Sequence, residues 1–201
     1  MPLSTFSIQY LPCLHFAILS RRWRRHHLRL PVQQPVPGFS NYRGKEPPYA
    51  GNDTAPIMPT TNGTAGPDDL LAVSNLLIVE WAIFSFYQQS VEMFNASSSE
   101  EIGLANNTYD RTREIRDNEA GHLAIFQSQI SSNSIKLGPC KCQFGLTGAV
   151  SFIVTLTLLE IASVEFLTGL SQQAELNITK GALTAIGETE SRHSTWALID
   201  I

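Results

Sequence analysis

The chain has 201 residues, of which 43% are hydrophobic and 16% charged, and its formal net charge is −4 at pH 7. This length and composition predict one domain of moderate size with a sizeable core, and nothing in them indicates a second folded domain. The sequence has no glycine-rich nucleotide-binding loop. That absence argues against kinases and dinucleotide-dependent oxidoreductases.

The charge is distributed unevenly along the chain. Residues 1–45 carry six Arg, one Lys and no acidic residue, whereas residues 46–201 carry seven basic and eighteen acidic residues, so +7 and −11 give −4. Prolines recur from Pro31 to Pro67. Residues 1–67 are therefore predicted to be a basic leader and a Pro-rich disordered linker. We interpret the Arg-rich run at residues 21–25 as part of a targeting segment and expect no nucleic-acid partner.

Residues 68–201 are predicted to be an all-α domain of four helices. The break and cap at residues 66–69 introduce a first helix from about residue 68 to 94, and a second follows from about 108 to 131. The connection at 132–145 is long enough to travel the length of a bundle. A third helix is expected from about 147 to 169. A fourth begins near Asn177, a good capping residue, and runs to the C-terminus, where we expect it to be cut short.

Each predicted helix carries acidic or imidazole side chains on its apolar stripe, which we call the seam. Seam positions alternate three and four residues apart and face the core of a bundle. The first and third helices each have one central seam glutamate, and the second and fourth each have a Glu-x-x-His motif. The seams read Val73, Leu77, Glu80, Phe84, Tyr87, Val91; Ile115, Glu119, His122, Phe126, Gln129; Ile153, Leu156, Glu160, Ser163, Leu167, Leu170; and Leu183, Ile186, Glu190, His193, Ala197.

This pattern predicts a two-metal carboxylate site in a four-helix bundle. Residues three apart on a helix face the same way, so one Glu-x-x-His motif points a carboxylate and an imidazole at one metal ion. Four buried carboxylates without counter-charge would be costly, so the core needs cations or protons. The predicted ligands are Glu80, Glu119, His122, Glu160, Glu190 and His193. Glu80 with His122 would hold one ion, Glu160 with His193 the other, and Glu119 with Glu190 would bridge them.

From about residue 68 to the C-terminus, the chain resembles the ferritin-like domain of fungal stress-response and plant desiccation-related proteins. The order and spacing of several stretches carry this resemblance: residues 69–71 before Glu80 and Tyr87, 115–122, 139–144, 151–152 before 159–160, and 190–196. The resemblance implies a ferritin-like four-helix bundle with a long crossover between helices 2 and 3, and a role in stress or desiccation.

The expected cofactor is iron, two ions per chain, with manganese as an alternative, because nitrogen and oxygen ligands accept both. Oxygen or peroxide would then be partners in redox or ferroxidase-like chemistry. We expect Tyr87 to be a core aromatic. One alternative is a non-catalytic, protective stress protein with the same scaffold. A further alternative is a membrane protein, because residues 70–87 and 146–170 are apolar, but their glutamates argue against a stable membrane span.

Five N-glycosylation signals begin at Asn52, Asn62, Asn95, Asn106 and Asn177. About one or two would be expected by chance from the Ser and Thr content. They favour a secretory or extracellular location, although the N-terminal leader also fits an intracellular or organellar one. Both a monomer and a homo-oligomer are compatible with the sequence.

Overall fold

The computed structural model describes residues 56–139 and 142–201, apart from the side chains of Val73 and Ser74. The predicted leader, most of the predicted linker and the signal at Asn52 lie outside the described residues. The helices are α1 (Asp69–Leu71), α2 (Leu77–Met93), α3 (Ala96–Glu100), α4 (Thr108–Gln129), α5 (Ala149–Ser171) and α6 (Asn177–Ile199), with a π-helical turn, Ala72–Leu76, between α1 and α2.

The predicted all-α bundle of four long helices is confirmed. The first predicted helix is α1, the π-helical turn and α2 in succession, and the other three are α4, α5 and α6. Packing joins α2 to α4 and α5 to α6. The segment at residues 130–148 is the long crossover between the two pairs. The bundle therefore brings one central glutamate and one Glu-x-x-His motif from each pair to its interior.

The crossover covers the outer side of α2. The indole nitrogen of Trp81 donates to the carbonyl oxygen of Leu137 at 2.9 Å, and Gln89 Nε2 donates to that of Cys142 at 3.2 Å. The rings of Phe86 and Phe144 pack edge to face with centroids 5.2 Å apart. These contacts explain why α2 is apolar on more than one side, since a helix covered on two sides needs apolar residues on both.

Two adjacent aspartates tie the start of the first helix to distant segments. The Asp68 carboxylate accepts the backbone N–H groups of Glu175 at 2.7 Å and Leu176 at 3.0 Å, directly before α6. The predicted cap at Asn177 is therefore wrong by one residue: Leu176 occupies the cap position and makes no side-chain cap bond. Asp68 instead accepts the N–H groups of the residues that lead into α6.

The described end of the predicted linker follows a defined path along the loop after α4. Ile57 and Lys136 exchange backbone hydrogen bonds of 2.9 and 3.0 Å, and Thr60 N donates to Ser132 O at 3.0 Å. Asn133 Nδ2 donates to the Thr64 carbonyl at 2.6 Å. Residues 56–67 thus run against the loop whose Ser131 and Ser134 also donate hydrogen bonds to the carboxylate of Asp69.

Of the described helices, α5 is long and apolar enough to cross a membrane by length and composition, with a mean hydropathy of 1.9 over its most apolar stretch. Its buried residues lie on one stripe that includes Leu156, Glu160 and Leu167. That stripe faces the interior of the bundle. The other apolar stretch of the sequence, residues 70–87, forms no such helix.

Candidate metal centre

The six predicted ligands come together in the middle of the bundle. Glu119, Glu160 and Glu190 have no exposed surface, Glu80 is 2% exposed, and both histidines are 5% exposed. The surrounding predicted seam is also buried, except that Ile153 and Gln129 are half-buried, and the Val73 side chain lies outside the described residues. The alternation of three and four residues therefore located the inward face of all four helices.

Three carboxylates surround the imidazole of His122. Its Nδ1 lies 2.8 Å from Glu80 Oε1, 3.0 Å from Glu190 Oε1 and 3.2 Å from Glu119 Oε2. One atom of each of these four side chains lies within 4.8 Å of the others, as needed to contact a single ion. Glu80, Glu119, His122 and Glu190 thus form one half of the centre.

The second half is built around His193 in the same way. Its Nδ1 lies 3.3 Å from Glu119 Oε1, and 3.5 Å from both Glu160 Oε2 and Glu190 Oε2. Glu119 and Glu190 therefore belong to both halves, and each presents one oxygen to His122 and the other to His193. This is the arrangement of two carboxylates that bridge neighbouring cations.

Several polar atoms that face this centre have no hydrogen-bond partner. Among the described residues, these atoms are Glu80 Oε1, Glu119 Oε1, Glu160 Oε2, both carboxylate oxygens of Glu190, and His193 Nδ1. Buried polar atoms are normally hydrogen-bonded, because leaving them unsatisfied costs free energy. The donor set of four carboxylates and two imidazoles is one that iron, manganese and other divalent cations accept. The buried glutamates and histidines are therefore compatible with a metal site.

The family model of the ferritin-like domain matches residues 68–199. The chain belongs to the ferritin-like domain family. A search of the curated proteins found no match. The family explains the bundle with its long crossover, and the match begins at Asp68, where the tie between the first helix and the start of α6 is made.

Burial and charge decide the protonation of this ferritin-like centre. Burial raises the pKa of Glu80 well above its usual range and that of Glu160 to about 8. Burial also disfavours the charged form of His122, but the three carboxylates within 3.2 Å of its Nδ1 outweigh burial and raise the pKa of this imidazole to about 12. The same balance raises the pKa of His193 to about 11. Both imidazoles are thus protonated near neutral pH, and metal ions would have to displace those protons.

Glu190 behaves differently from the terminal glutamates. Burial disfavours its ionised form, yet the close His122 and His193 imidazoles outweigh that effect and lower the pKa of Glu190 to about 2. Glu190 lies between the two imidazoles, whereas Glu80 and Glu160 each face one. Glu190, one of the two carboxylates that contact both imidazoles, is thus charged at neutral pH.

Among the described residues, two polar side chains outside the predicted ligand set, Tyr87 and Asn118, contact the half that contains Glu160 and His193. The hydroxyl of the fully buried Tyr87 donates to Glu160 Oε1. Asn118 Nδ2 lies 3.2 Å from His193 Nε2. If Nδ1 bound a metal, Nε2 would carry the proton, and the amide would have to rotate by 180° to present its carbonyl oxygen to the ring.

Apolar clusters flank the centre on both sides along the bundle. One includes Leu77, Phe84 and Leu123, and the other includes Ile115 and Leu156. They keep the bulk of the interior dry. A cleft of about 580 Å³ opens between α4 and α6 and is lined by residues that include Arg111, Asn118, Arg192, His193 and Trp196. Of the six predicted ligands, His193 alone lines this cleft, so a small molecule in it would lie beside the His193 half.

Proposed function

We propose that this ferritin-like protein binds two metal ions, iron or manganese, and uses them for redox chemistry of the ferroxidase type. The observation that carries this proposal is the position of Glu119 and Glu190, each with one oxygen toward each imidazole. An apolar bundle has no structural need for four carboxylates and two histidines in one layer, and their burial is costly without cations. A two-metal site accounts for all six.

Each of the six predicted ligands has a defined place in this two-metal site. Glu80 and His122 would hold one ion, and Glu160 and His193 the other, with Glu119 and Glu190 between them. Tyr87 holds one oxygen of Glu160 and leaves Oε2 directed at His193. The apolar clusters on either side exclude water. Iron bound here would supply the electrons with which oxygen or peroxide is reduced.

The test is oxidation of ferrous iron by the purified full-length chain, followed as oxygen uptake after metal removal. We expect the wild-type chain to oxidise iron faster than buffer alone. Glu119→Ala removes one bridging carboxylate and should reduce the rate to that of iron in buffer. Glu188→Ala, which removes an exposed glutamate on α6 that does not line the cleft, is the control and should leave the rate unchanged.

Oxidation no faster than in buffer would contradict the redox function. A wild-type chain that binds the metal but does not oxidise it would instead be the non-catalytic, protective protein considered from the sequence. We also propose that the protein is of the stress- and desiccation-related type, which rests on the order of the matched sequence stretches. An abundance that does not rise when the source cells are dried would contradict that assignment.

A further inference from the structure

Four asparagines of the N-glycosylation signals lie among the described residues, and all four side chains are exposed. Asn62 precedes the first helix, Asn95 and Asn106 lie between α2 and α4, and Asn177 is the first residue of α6. The side chains of two other asparagines contact residues of the protein itself: Asn133 donates to the Thr64 carbonyl, and Asn118 contacts His193. The signal-bearing asparagines thus lie on the surface, in loops or at helix ends, where N-linked sugars are normally attached.

The folded structure uses Asn95 in a way that leaves its amide nitrogen available. Its Oδ1 caps α3 by accepting the backbone N–H of Ser98 at 3.0 Å and the Ser98 hydroxyl at 3.2 Å. An N-linked sugar is attached to the nitrogen, so the oxygen keeps its capping role. Glycosylation at Asn95 is therefore compatible with this cap.

The four signals form two pairs that differ in the exposure of the Ser or Thr residue that completes them. Thr64 and Ser97, two residues after Asn62 and Asn95, are exposed. Thr108 and Thr179, which complete the signals at Asn106 and Asn177, are each only 2% exposed. The Thr179 hydroxyl also bonds to the carboxylate of Asp68. The transferring enzyme must reach both the asparagine and the hydroxyl residue, so folding closes the second pair of sites.

We propose that the chain is N-glycosylated at all four asparagines, with Asn106 and Asn177 modified only before folding and Asn62 and Asn95 modifiable after it. In this transfer the amide nitrogen bonds to the anomeric carbon of an oligosaccharide held on a lipid pyrophosphate. The bond between that carbon and the pyrophosphate oxygen breaks, the lipid pyrophosphate leaves, and the nitrogen loses one proton. The proposal requires passage through the secretory route and is independent of the metal centre.

The first experiment synthesises the full chain in the presence of microsomes and then removes the sugars with peptide N-glycosidase in ¹⁸O-labelled water. Each glycosylated asparagine becomes an ¹⁸O-labelled aspartate, which mass spectrometry locates. A sample without the enzyme is essential because the Asn62-Gly63 pair deamidates spontaneously. Asn107, exposed but outside any signal, is the internal control and should carry no label. Absence of label at all four sites would overturn the proposal.

The second experiment incubates the folded, unmodified full chain with purified oligosaccharyltransferase and a lipid-linked oligosaccharide. A synthetic peptide containing each signal is modified in parallel, and its rate is the rate expected for that signal when no folded structure surrounds it. We expect the rates of modification of Asn106 and Asn177 in the folded chain to be about tenfold or more below those of the corresponding peptides. The reason is that their hydroxyl residues become accessible only through local opening. Asn62 and Asn95 should match their peptides. Equal modification of all four sites in the folded chain would overturn the division into two pairs.

Discussion

At the scale of single residues, we expect Tyr87 to orient one of the predicted metal ligands. It lies on α2, seven residues after Glu80, and its hydroxyl donates across the bundle to Glu160 Oε1 on α5. Residues that orient metal ligands typically change metal affinity about 10–100-fold when they are removed. The sequence indicated a core aromatic at this position, and the structure adds a specific hydrogen bond to that role.

Tyr87→Phe should therefore weaken binding of one of the two metal ions by about 10–100-fold while leaving the other nearly unchanged. The measurement is a metal titration against a competing chelator, with ferrous or manganese ions. Tyr109→Phe is the matched control, because its hydroxyl donates to the Val91 carbonyl at 3.0 Å, away from the centre. Two unchanged affinities in Tyr87→Phe would contradict the role assigned to this hydroxyl.

Asn118 has a comparable role for His193. Asn118 Nδ2 lies 3.2 Å from His193 Nε2, and rotating the amide by 180° would let its carbonyl oxygen accept the Nε2 proton and leave Nδ1 for a metal. The residue placed equivalently before Glu190 is Thr189, whose hydroxyl donates to the Ala185 carbonyl of its own helix at 3.2 Å. The two halves of the centre therefore differ in how their histidines are held.

Asn118→Leu, which removes the acceptor, should lower metal affinity at the His193 half by about 10–100-fold. Asn118→Asp restores an acceptor and should keep the affinity close to wild type. The same chelator competition measures both variants, and circular dichroism checks that each is folded. An Asn118→Leu protein that binds both ions as tightly as the wild type would show that the amide does not position the imidazole.

At the scale of secondary-structure elements, Asp69 joins the start of the first helix to the loop after α4. Its carboxylate accepts the backbone N–H groups of Gly66 at 2.7 Å and Ser131 at 2.9 Å, and the Ser134 hydroxyl at 2.6 Å. It also accepts the Ser131 hydroxyl. Burial raises its pKa, but these hydrogen bonds outweigh burial and lower the pKa of Asp69 to about 2 from 3.8.

A pKa that is lower in the folded state stabilises the protein above the unfolded value of 3.8, and this stabilisation is lost as the pH falls toward about 2. Asp69→Asn should therefore reduce the free energy of unfolding by about 2 kcal/mol at pH 7. The difference between variant and wild type should shrink between pH 4 and pH 2. Urea unfolding at a series of pH values measures both quantities.

Asp110→Asn is the control for this comparison. Asp110 is 77% exposed and pairs with Arg113 at 3.6 Å, so its replacement should change the free energy of unfolding by less than about 0.5 kcal/mol. If Asp69→Asn matched this control at pH 7, the carboxylate would not be holding the loop to the helix. If the difference in free energy of unfolding between Asp69→Asn and the wild type stayed constant down to pH 2, the charge of Asp69 would not be the source of that difference.

At the scale of the whole molecule, the sequence predicted the bundle and the layer of charged residues because both depend on spacing. A ligand on the seam must face the interior, and the four seams were readable from apolar residues such as Leu77, Leu156 and Leu183. The roles of Tyr87 and Asn118 were not readable, because each contact crosses between helices and depends on their rotation and separation. Nothing in local sequence specifies those two quantities.

The contacts at the helix ends could likewise not be predicted from local sequence. Asp68 and Asp69 were assigned to a local helix start, and their strongest contacts are instead with residues 131–134 and 175–176. The cap expected at Asn177 is replaced by a carboxylate more than one hundred positions earlier in the chain. Local patterns predict which residues are capable of capping, while the fold decides which helix end each of them meets.

The central claim is that six side chains of this ferritin-like bundle hold two metal ions. The most direct measurement is the metal content of the purified full-length chain, by elemental analysis, after loading with ferrous iron without oxygen and removal of unbound metal. The structure predicts about two irons per chain, as expected for four carboxylates and two histidines in this arrangement. A folded, helical protein that retained no iron and no manganese would contradict it.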